Sequence, residues 1–86
     1  MLEKLTQQEE QAMRAVWKSG EANVKSFLEN IEDPIPPYTT LASTIKNLEK
    51  KGYVSSKLYG NMYLYKPAVE EEEYKKFNSS MKIFDK

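Results

Sequence analysis

The chain has 86 residues, of which 40% are apolar, 12% aromatic and 30% charged, a composition typical of one globular domain. It contains no cysteine and no histidine, which excludes disulfides, thiolate metal sites and histidine-based acid–base chemistry. No apolar run approaches the roughly 20 residues that span a membrane, and the amino terminus lacks a signal-peptide core. We therefore expect a cytoplasmic protein with no membrane partner, no metal, no cofactor and no small-molecule ligand.

The formal net charge is zero, but the charges are unevenly distributed. Residues 1–37 carry four basic and seven acidic side chains, a net of −3. Residues 38–66 carry five lysines and one glutamate (+4), and residues 67–86 carry four lysines and five acidic residues (−1). A local basic patch sets the field that a phosphate backbone experiences, so the middle of the chain is a candidate nucleic-acid surface. Alternatively, these lysines only solvate a helix end and a hairpin.

Two amphipathic helices are predicted in the first third of the chain. Thr6 and Glu9 have the spacing of a capping box, and Gly20 follows the apolar positions, so helix 1 is predicted at about 6–19. The next apolar residues recur at i, i+3, i+4 and i+7, which predicts helix 2 at about 21–31.

A third helix is predicted at about 38–51, after a proline-rich connector that cannot be helical. Leu41, Ile45 and Leu48 recur at i, i+4 and i+7 and form one apolar stripe. Two lysines and Gly52 follow, as is typical of a helix C-terminus. The remaining surface carries short hydrogen-bonding side chains and lysines, which suit a helix that lies in a DNA major groove.

After Gly52 the periodicity changes from helical to strand-like. Two short β-prone runs flank the turn dipeptide Gly60-Asn61, which predicts a hairpin at about 53–66. Residues 69–86 are predicted to form another helix. Its first turn holds four adjacent glutamates, which favour the positive end of the helix dipole and do not converge on a cation.

Three helices followed by a two-stranded hairpin is the order of a winged helix-turn-helix domain. The predicted fold class is therefore mainly α with a small β-hairpin, followed by a C-terminal helix. The third helix would dock in a DNA groove, and the hairpin would be the wing. The residues expected to be mostly buried in its core are Trp17, Phe27, Leu28, Leu41, Ile45 and Leu48.

Three stretches of the sequence carry motifs that occur together in one known family. Residues 5–17 read LTQQEEQAMRAVW, residues 38–54 read YTTLASTIKNLEKKGYV, and residues 63–67 read YLYKP. In this order they resemble the opening, the recognition helix and the end of the wing in the BlaI/MecI penicillinase-repressor family of bacterial winged-helix regulators. The resemblance covers about residues 4–80.

The resemblance implies a transcriptional repressor that binds double-stranded DNA, as a homodimer on a palindromic operator. It also implies a winged-helix DNA-binding domain at 1–67 and the start of a C-terminal helical dimerisation region at 68–86. Because family members continue further, the chain is expected to be truncated there or to be a short homologue. Two slots that are frequently cationic in the family are Ala42 and Asn47 here, and the cysteine motif of copper-responsive relatives is absent.

The candidate DNA contacts lie on helix 3 and on the hairpin. Hydroxyls and lysines can bind phosphates, and asparagine can pair with adenine through two hydrogen bonds. The alternatives are helix capping for the hydroxyls and simple solvation for the hairpin residues. Tyr63 and Tyr65 are expected to pack on helix 3 rather than to stack on single-stranded bases. The predicted DNA-binding residues are Thr39, Thr40, Ser43, Lys46, Asn47, Lys50, Lys57 and Asn61.

The C-terminal helix carries an apolar stripe with too little partner surface in this chain. We expect the stripe to pack against a second copy or against a further C-terminal region. The predicted dimerisation residues are Tyr74, Phe77, Met81 and Phe84.

Two functions follow from these patterns. The leading interpretation is a DNA-binding repressor whose third helix reads the major groove. The alternative is a winged-helix protein-interaction module without DNA binding, which the zero net charge, Ala42 and Asn47 favour. An enzyme is not expected, because the sequence lacks histidine, cysteine and a glycine-rich phosphate loop.

Overall fold

The computed structural model describes residues 4–76. The two strands pair antiparallel, and residues 71–76 are helical again. The predicted fold class, a winged helix followed by a C-terminal helix, is confirmed; the rest of the predicted 69–86 helix lies outside the described residues. Within the described chain, no helix combines the length and the apolar character that crossing a membrane requires. The elements are α1 (Gln7–Ser19), α2 (Val24–Asn30), α3 (Tyr38–Lys50), β1 (Val54–Tyr59) and β2 (Met62–Pro67).

Both ends of α1 follow the local signals in the sequence. The Thr6 backbone N–H donates to Glu9 Oε1 at 3.0 Å, and the Glu9 backbone N–H donates to Thr6 Oγ1 at 3.2 Å, so the capping box is confirmed. Gly20 ends the helix with φ +75, and its N–H donates to the Val16 carbonyl at 2.8 Å. Glycine suits this position because it adopts positive φ without a steric cost.

The segment between α1 and α2 pairs with the hairpin, which the sequence analysis did not anticipate. Ala22 N–H donates to the Tyr65 carbonyl at 3.0 Å, and Tyr65 N–H donates to the Ala22 carbonyl at 2.8 Å. Asn23 then caps α2 by accepting from Ser26 N–H at 2.9 Å. Because Ala22 is held in this extended bridge, α2 begins at Val24 rather than at residue 21 as predicted.

The third helix, α3, packs between the first two helices and the hairpin. Thr44 is buried although it is polar. Its Oγ1 donates to the Thr40 carbonyl at 2.9 Å, so the buried hydroxyl has a hydrogen-bond partner within the helix. The helix ends before Gly52, whose φ of +85 confirms the predicted C-terminal signal. The predicted stripe, each member at most 1% exposed, consists of Leu41, Ile45 and Leu48.

The hairpin has a two-residue turn. Tyr59 lies opposite Met62, and Gly60 and Asn61 form the turn between them. Gly60 has φ +59 and Asn61 has a negative φ, the pattern of a type II′ turn, which matches the twist of the two strands. The strands occupy 54–67, one residue later than predicted.

The core includes aromatic residues from beyond the helices. Phe27 is fully buried as predicted, whereas Trp17 and Leu28 are half-buried at its margin. Trp17 Nε1 donates to the Val69 carbonyl at 2.9 Å, which ties α1 to the chain after the hairpin. The hairpin and its entry add Tyr53, Val54 and Tyr65 to the core.

Tyr74 belongs to the same core, although it follows the hairpin. Its side chain is 6% exposed, and its ring lies 5.5 Å from the Trp17 ring and 6.0 Å from the Tyr53 ring, centroid to centroid. Its hydroxyl donates to Glu10 Oε2 at 2.7 Å. The winged-helix core therefore continues past residue 67, where the sequence analysis divided the chain.

Candidate nucleic-acid interface

The exposed face of α3 lies on the side of the helix opposite its buried stripe. Because the stripe fixes the rotation of the helix about its axis, the side chains on the opposite side of the helix point away from the core. Thr40 is half-buried and is the least accessible predicted contact on this helix. The exposed predicted contacts on the helix are Thr39, Ser43, Lys46, Asn47 and Lys50.

The hydroxyls of the first turns of α3 do not cap it. The N-cap position is occupied by Pro37, and no side-chain cap hydrogen bond is formed at this end of the helix. The Leu41 N–H donates to the Pro37 carbonyl at 3.0 Å as the first bond of the helix. The capping alternative is therefore wrong, and the exposed hydroxyls of Thr39 and Ser43 remain on the surface.

Lys51 is turned away from the exposed face by an internal ion pair. Its Nζ donates to Glu9 Oε1 at 2.7 Å and to the Lys4 carbonyl at 3.3 Å. Burial raises the pKa of the Glu9 carboxyl, but the hydrogen bonds from Lys51 and from the Thr6 N–H outweigh it and bring the pKa below its ordinary value. Lys51 thus joins the end of α3 to the start of α1 instead of contributing to the basic surface.

Glu49 is the one acidic residue of α3, and it faces β1. Ser56 Oγ donates to Glu49 Oε2 at 2.5 Å, a length typical of a hydroxyl bound to a carboxylate. Lys46 and Lys50 line the same open cleft. The C-terminal half of the exposed face therefore presents two cations against one carboxylate that a serine already holds.

The hairpin presents a mixed surface rather than a basic one. Lys57 lies within β1 opposite Leu64 instead of beside the turn, and its Nζ sits 5.4 Å from the centre of the Tyr59 ring. Such a cation over an aromatic face is weakly attractive at an exposed site. Asn61 is exposed at the turn. The exposed large apolar side chains of the hairpin are Leu58, Tyr59, Met62 and Tyr63.

The two tyrosines of β2 have different surroundings. Both were predicted to pack on helix 3. Tyr65 is 7% exposed and belongs to the core, but Tyr63 is 55% exposed, so its predicted packing on helix 3 is wrong. Tyr63 lies nearer the turn, opposite Leu58, which is also exposed. Burial raises the pKa of the Tyr65 phenol, and the nearby Glu49 carboxylate raises it further.

An open cleft separates the hairpin from the helices. Its floor includes Ala42, which is half-buried, and Tyr65. The exposed polar side chains along it are Lys25 from α2, Tyr38 and Lys46 from α3, and Asn61 and Tyr63 from the hairpin. Lys25, Tyr38 and Tyr63 were not among the predicted contacts, because no periodicity along the chain relates residues that meet only through tertiary packing.

The predicted dimerisation stripe is only partly described. The burial of Tyr74 against Trp17 and Tyr53 contradicts its place on an unpartnered stripe. The other three residues, Phe77, Met81 and Phe84, lie outside the described residues.

The family model for penicillinase repressors matches residues 5–84 of the chain. The chain belongs to the penicillinase repressor family. This is a family of transcriptional repressors rather than enzymes, and the match includes all the elements described above. A search of curated protein sequences found no significant match.

The solved structures that share the fold include two of BlaI. One is the solution structure of the monomeric form of Bacillus licheniformis BlaI in complex with the blaP half-operator, with 20% identity and a TM-score of 0.69 over 86% of this chain and 92% of that one. The other is the solution structure of the DNA-binding domain of the repressor BlaI, with 21% identity and a TM-score of 0.69 over 86% of this chain and 94% of that one. At this identity the likeness establishes the winged-helix fold alone.

Proposed function

We propose that this chain is the DNA-binding part of a transcriptional repressor, with α3 in the major groove and the hairpin against the flanking backbone or minor groove. The observation that carries the proposal is the outward face of α3, where hydroxyls, an amide and two lysines share one surface. Support also comes from the shared fold with BlaI, whose monomeric form binds a half-operator. A repressor of this kind acts on the chromosome, so the proposed location is the cytoplasm.

The roles of the α3 side chains follow from their chemistry. Lys46 and Lys50 neutralise phosphates, and each phosphate contact releases counterions. Asn47 can donate to and accept from the edge of an adenine, which specifies sequence. Thr39, Thr40 and Ser43 lie nearer the start of the helix, where hydroxyls and free backbone N–H groups bind phosphate oxygens. We assign Lys57 and Asn61 secondary contacts, because a two-stranded hairpin holds a partner less firmly than a helix.

We further propose that the repressor acts as a homodimer on a palindromic operator, with one winged helix on each half-site. Phe77, Met81 and Phe84 remain the proposed contacts with the second copy. Sedimentation of the chain and of Phe77→Asp tests this: the variant should be more monomeric at equal concentration. Identical sedimentation of both proteins as monomers would remove these residues from the dimer proposal.

The competing function is a protein-interaction module. Four exposed apolar side chains on the hairpin and a net charge of zero favour it, because DNA-binding surfaces are commonly basic. The two functions differ in their response to salt. A DNA-binding protein loses affinity steeply as salt rises, whereas an interaction module shows weak or no binding to duplex DNA at any salt.

The test is a salt titration of binding to random duplex DNA and to duplexes selected from a random pool. Lys46→Ala should weaken both and lower the salt slope by about one. Asn47→Ala should cost about 1–3 kcal/mol on the selected duplexes only. Thr40→Ala should have an intermediate effect. Lys75→Ala is the matched control, because Lys75 is exposed, pairs with Glu71 at 3.8 Å and is remote from α3 in sequence.

The proposal is wrong if all three α3 variants keep their melting temperature and bind DNA like the parent chain. A parent chain that shows no salt-dependent binding at all supports the interaction module instead.

A further inference from the structure

The cleft between the helices and the hairpin has a distinctive set of side chains. Its exposed polar side chains are two lysines, two tyrosines and one asparagine from α2, α3 and the hairpin, and none of the residues that line it is acidic. The neighbouring cleft along the end of α3 contains Glu49, and a third cleft beside α1 contains Glu10, Glu32 and Asp33. Of these three surfaces, only the first has cations and hydrogen-bond donors with no carboxylate in its own lining, although Lys46 and Tyr63 also border the cleft that contains Glu49.

The cations of this cleft are available to a ligand. Lys25 and Lys46 are exposed, and neither pairs with a carboxylate among residues 4–76. The Tyr38 and Tyr63 side chains are 51% and 55% exposed, so their hydroxyls can donate outward. Ala42 contributes only a methyl group to the floor, which leaves room for a group to approach α3 closely.

The walls of the cleft are held in place before any ligand binds. The two hydrogen bonds between Ala22 and Tyr65 attach the hairpin to the segment that precedes α2. Asn23 Nδ2 also lies 3.3 Å from Met62 Sδ, which joins the same segment to the end of the turn. Because the backbone of these walls is already fixed, binding an anion between them costs little conformational freedom of the chain.

We propose that this cleft seats a phosphodiester group of duplex DNA, with the Lys25 and Lys46 ammonium groups as its cations and the Tyr38 and Tyr63 hydroxyls donating to its oxygens. The inference rests on the proposed function and adds the α2 lysine and the two tyrosines to the binding surface. One DNA strand then passes between the hairpin and the helices. The cleft sets the angle at which α3 enters the groove, and its contacts position the protein without reading sequence.

Two substitutions separate the charge from the hydroxyl. Lys25→Ala removes one phosphate contact, so it should lower the salt slope of binding to random duplex DNA by about one. Tyr63→Phe removes one neutral donor and no charge, so it should weaken binding by about threefold to tenfold with an unchanged slope. Lys75→Ala should change neither quantity. The melting temperature of each variant must stay near that of the parent chain, as expected for exposed positions.

The outcomes distinguish the cleft from the function as a whole. Salt-dependent binding by the parent chain that survives both Lys25→Ala and Tyr63→Phe unchanged overturns the phosphate seat and leaves the proposed function intact. If only Lys46→Ala loses binding, the phosphate seat is likewise overturned and the proposed function stays intact, because Lys46 also belongs to the exposed face of α3. A parent chain that does not bind duplex DNA removes both proposals.

Discussion

Replacing Tyr74 should destabilise the winged-helix domain, although this residue follows the hairpin. The side chain is 6% exposed and packs against the rings of Trp17 and Tyr53. Truncating a buried aromatic ring to alanine costs about 3–5 kcal/mol, so we expect a loss in that range for Tyr74→Ala. Tyr74→Phe keeps the ring and removes the hydrogen bond to Glu10. It should cost about 1 kcal/mol, because the Glu10 side chain is 33% exposed and water can replace the lost donor.

These losses are large for a domain of this size. At about 0.05–0.15 kcal/mol per residue, an 86-residue chain has an unfolding free energy of roughly 4–13 kcal/mol. Urea denaturation measures the change, and Trp17, the single tryptophan, reports on the site itself because its ring contacts Tyr74. Lys75→Ala is the control at the adjacent, exposed position and should stay within about 0.5 kcal/mol of the parent chain.

Two results would refute this reasoning. A loss below about 1 kcal/mol for Tyr74→Ala would mean that the ring is not part of the core. A loss that grows or shrinks with protein concentration would mean that Tyr74 packs against a second copy, as the sequence analysis predicted.

Three further predictions concern other contacts. Leu48→Ala should cost about 2–5 kcal/mol in urea denaturation, because Leu48 is fully buried; a loss under about 0.5 kcal/mol would contradict the rotation of α3. The pKa of Glu9 is lowered in the folded state, so its contribution to stability is present above its unfolded pKa and is lost as pH falls through the folded value. Glu9→Gln should therefore narrow the stability difference between about pH 7 and about pH 3; an unchanged difference would contradict the pairing with Lys51. Ala22→Pro removes the N–H that donates to the Tyr65 carbonyl, so amide hydrogen exchange along β2 should become faster. Unchanged exchange rates in β2 would mean that the bridge does not stabilise the hairpin.

Local signals in the sequence predicted the elements of this fold well. The capping box at Thr6 and the glycines after α1 and α3 act within a few residues, so their effects do not depend on the rest of the chain. The spacing of the apolar residues predicted which face of α3 is buried, and so which side chains are exposed, because one helical turn relates them. The change of period after Gly52 predicted the hairpin to within one residue.

Contacts between distant residues were decided by the tertiary structure. Lys46, Lys50 and Lys51 look alike in sequence, but only Lys51 is near Glu9, 42 residues away, and is withdrawn from the surface. Tyr63 and Tyr65 occupy equivalent positions of an alternating strand, but only Tyr65 is buried in the core.

The sequence by itself therefore determined the order of elements, the buried faces and the outward face of α3, because each depends on hydrogen bonds and side-chain spacing within one element. Only the tertiary structure decided which cations stay free, where the core ends and that Lys25, Tyr38 and Tyr63 border one cleft. Those properties depend on the angles and distances at which separate elements pack, and no periodicity along the chain records them.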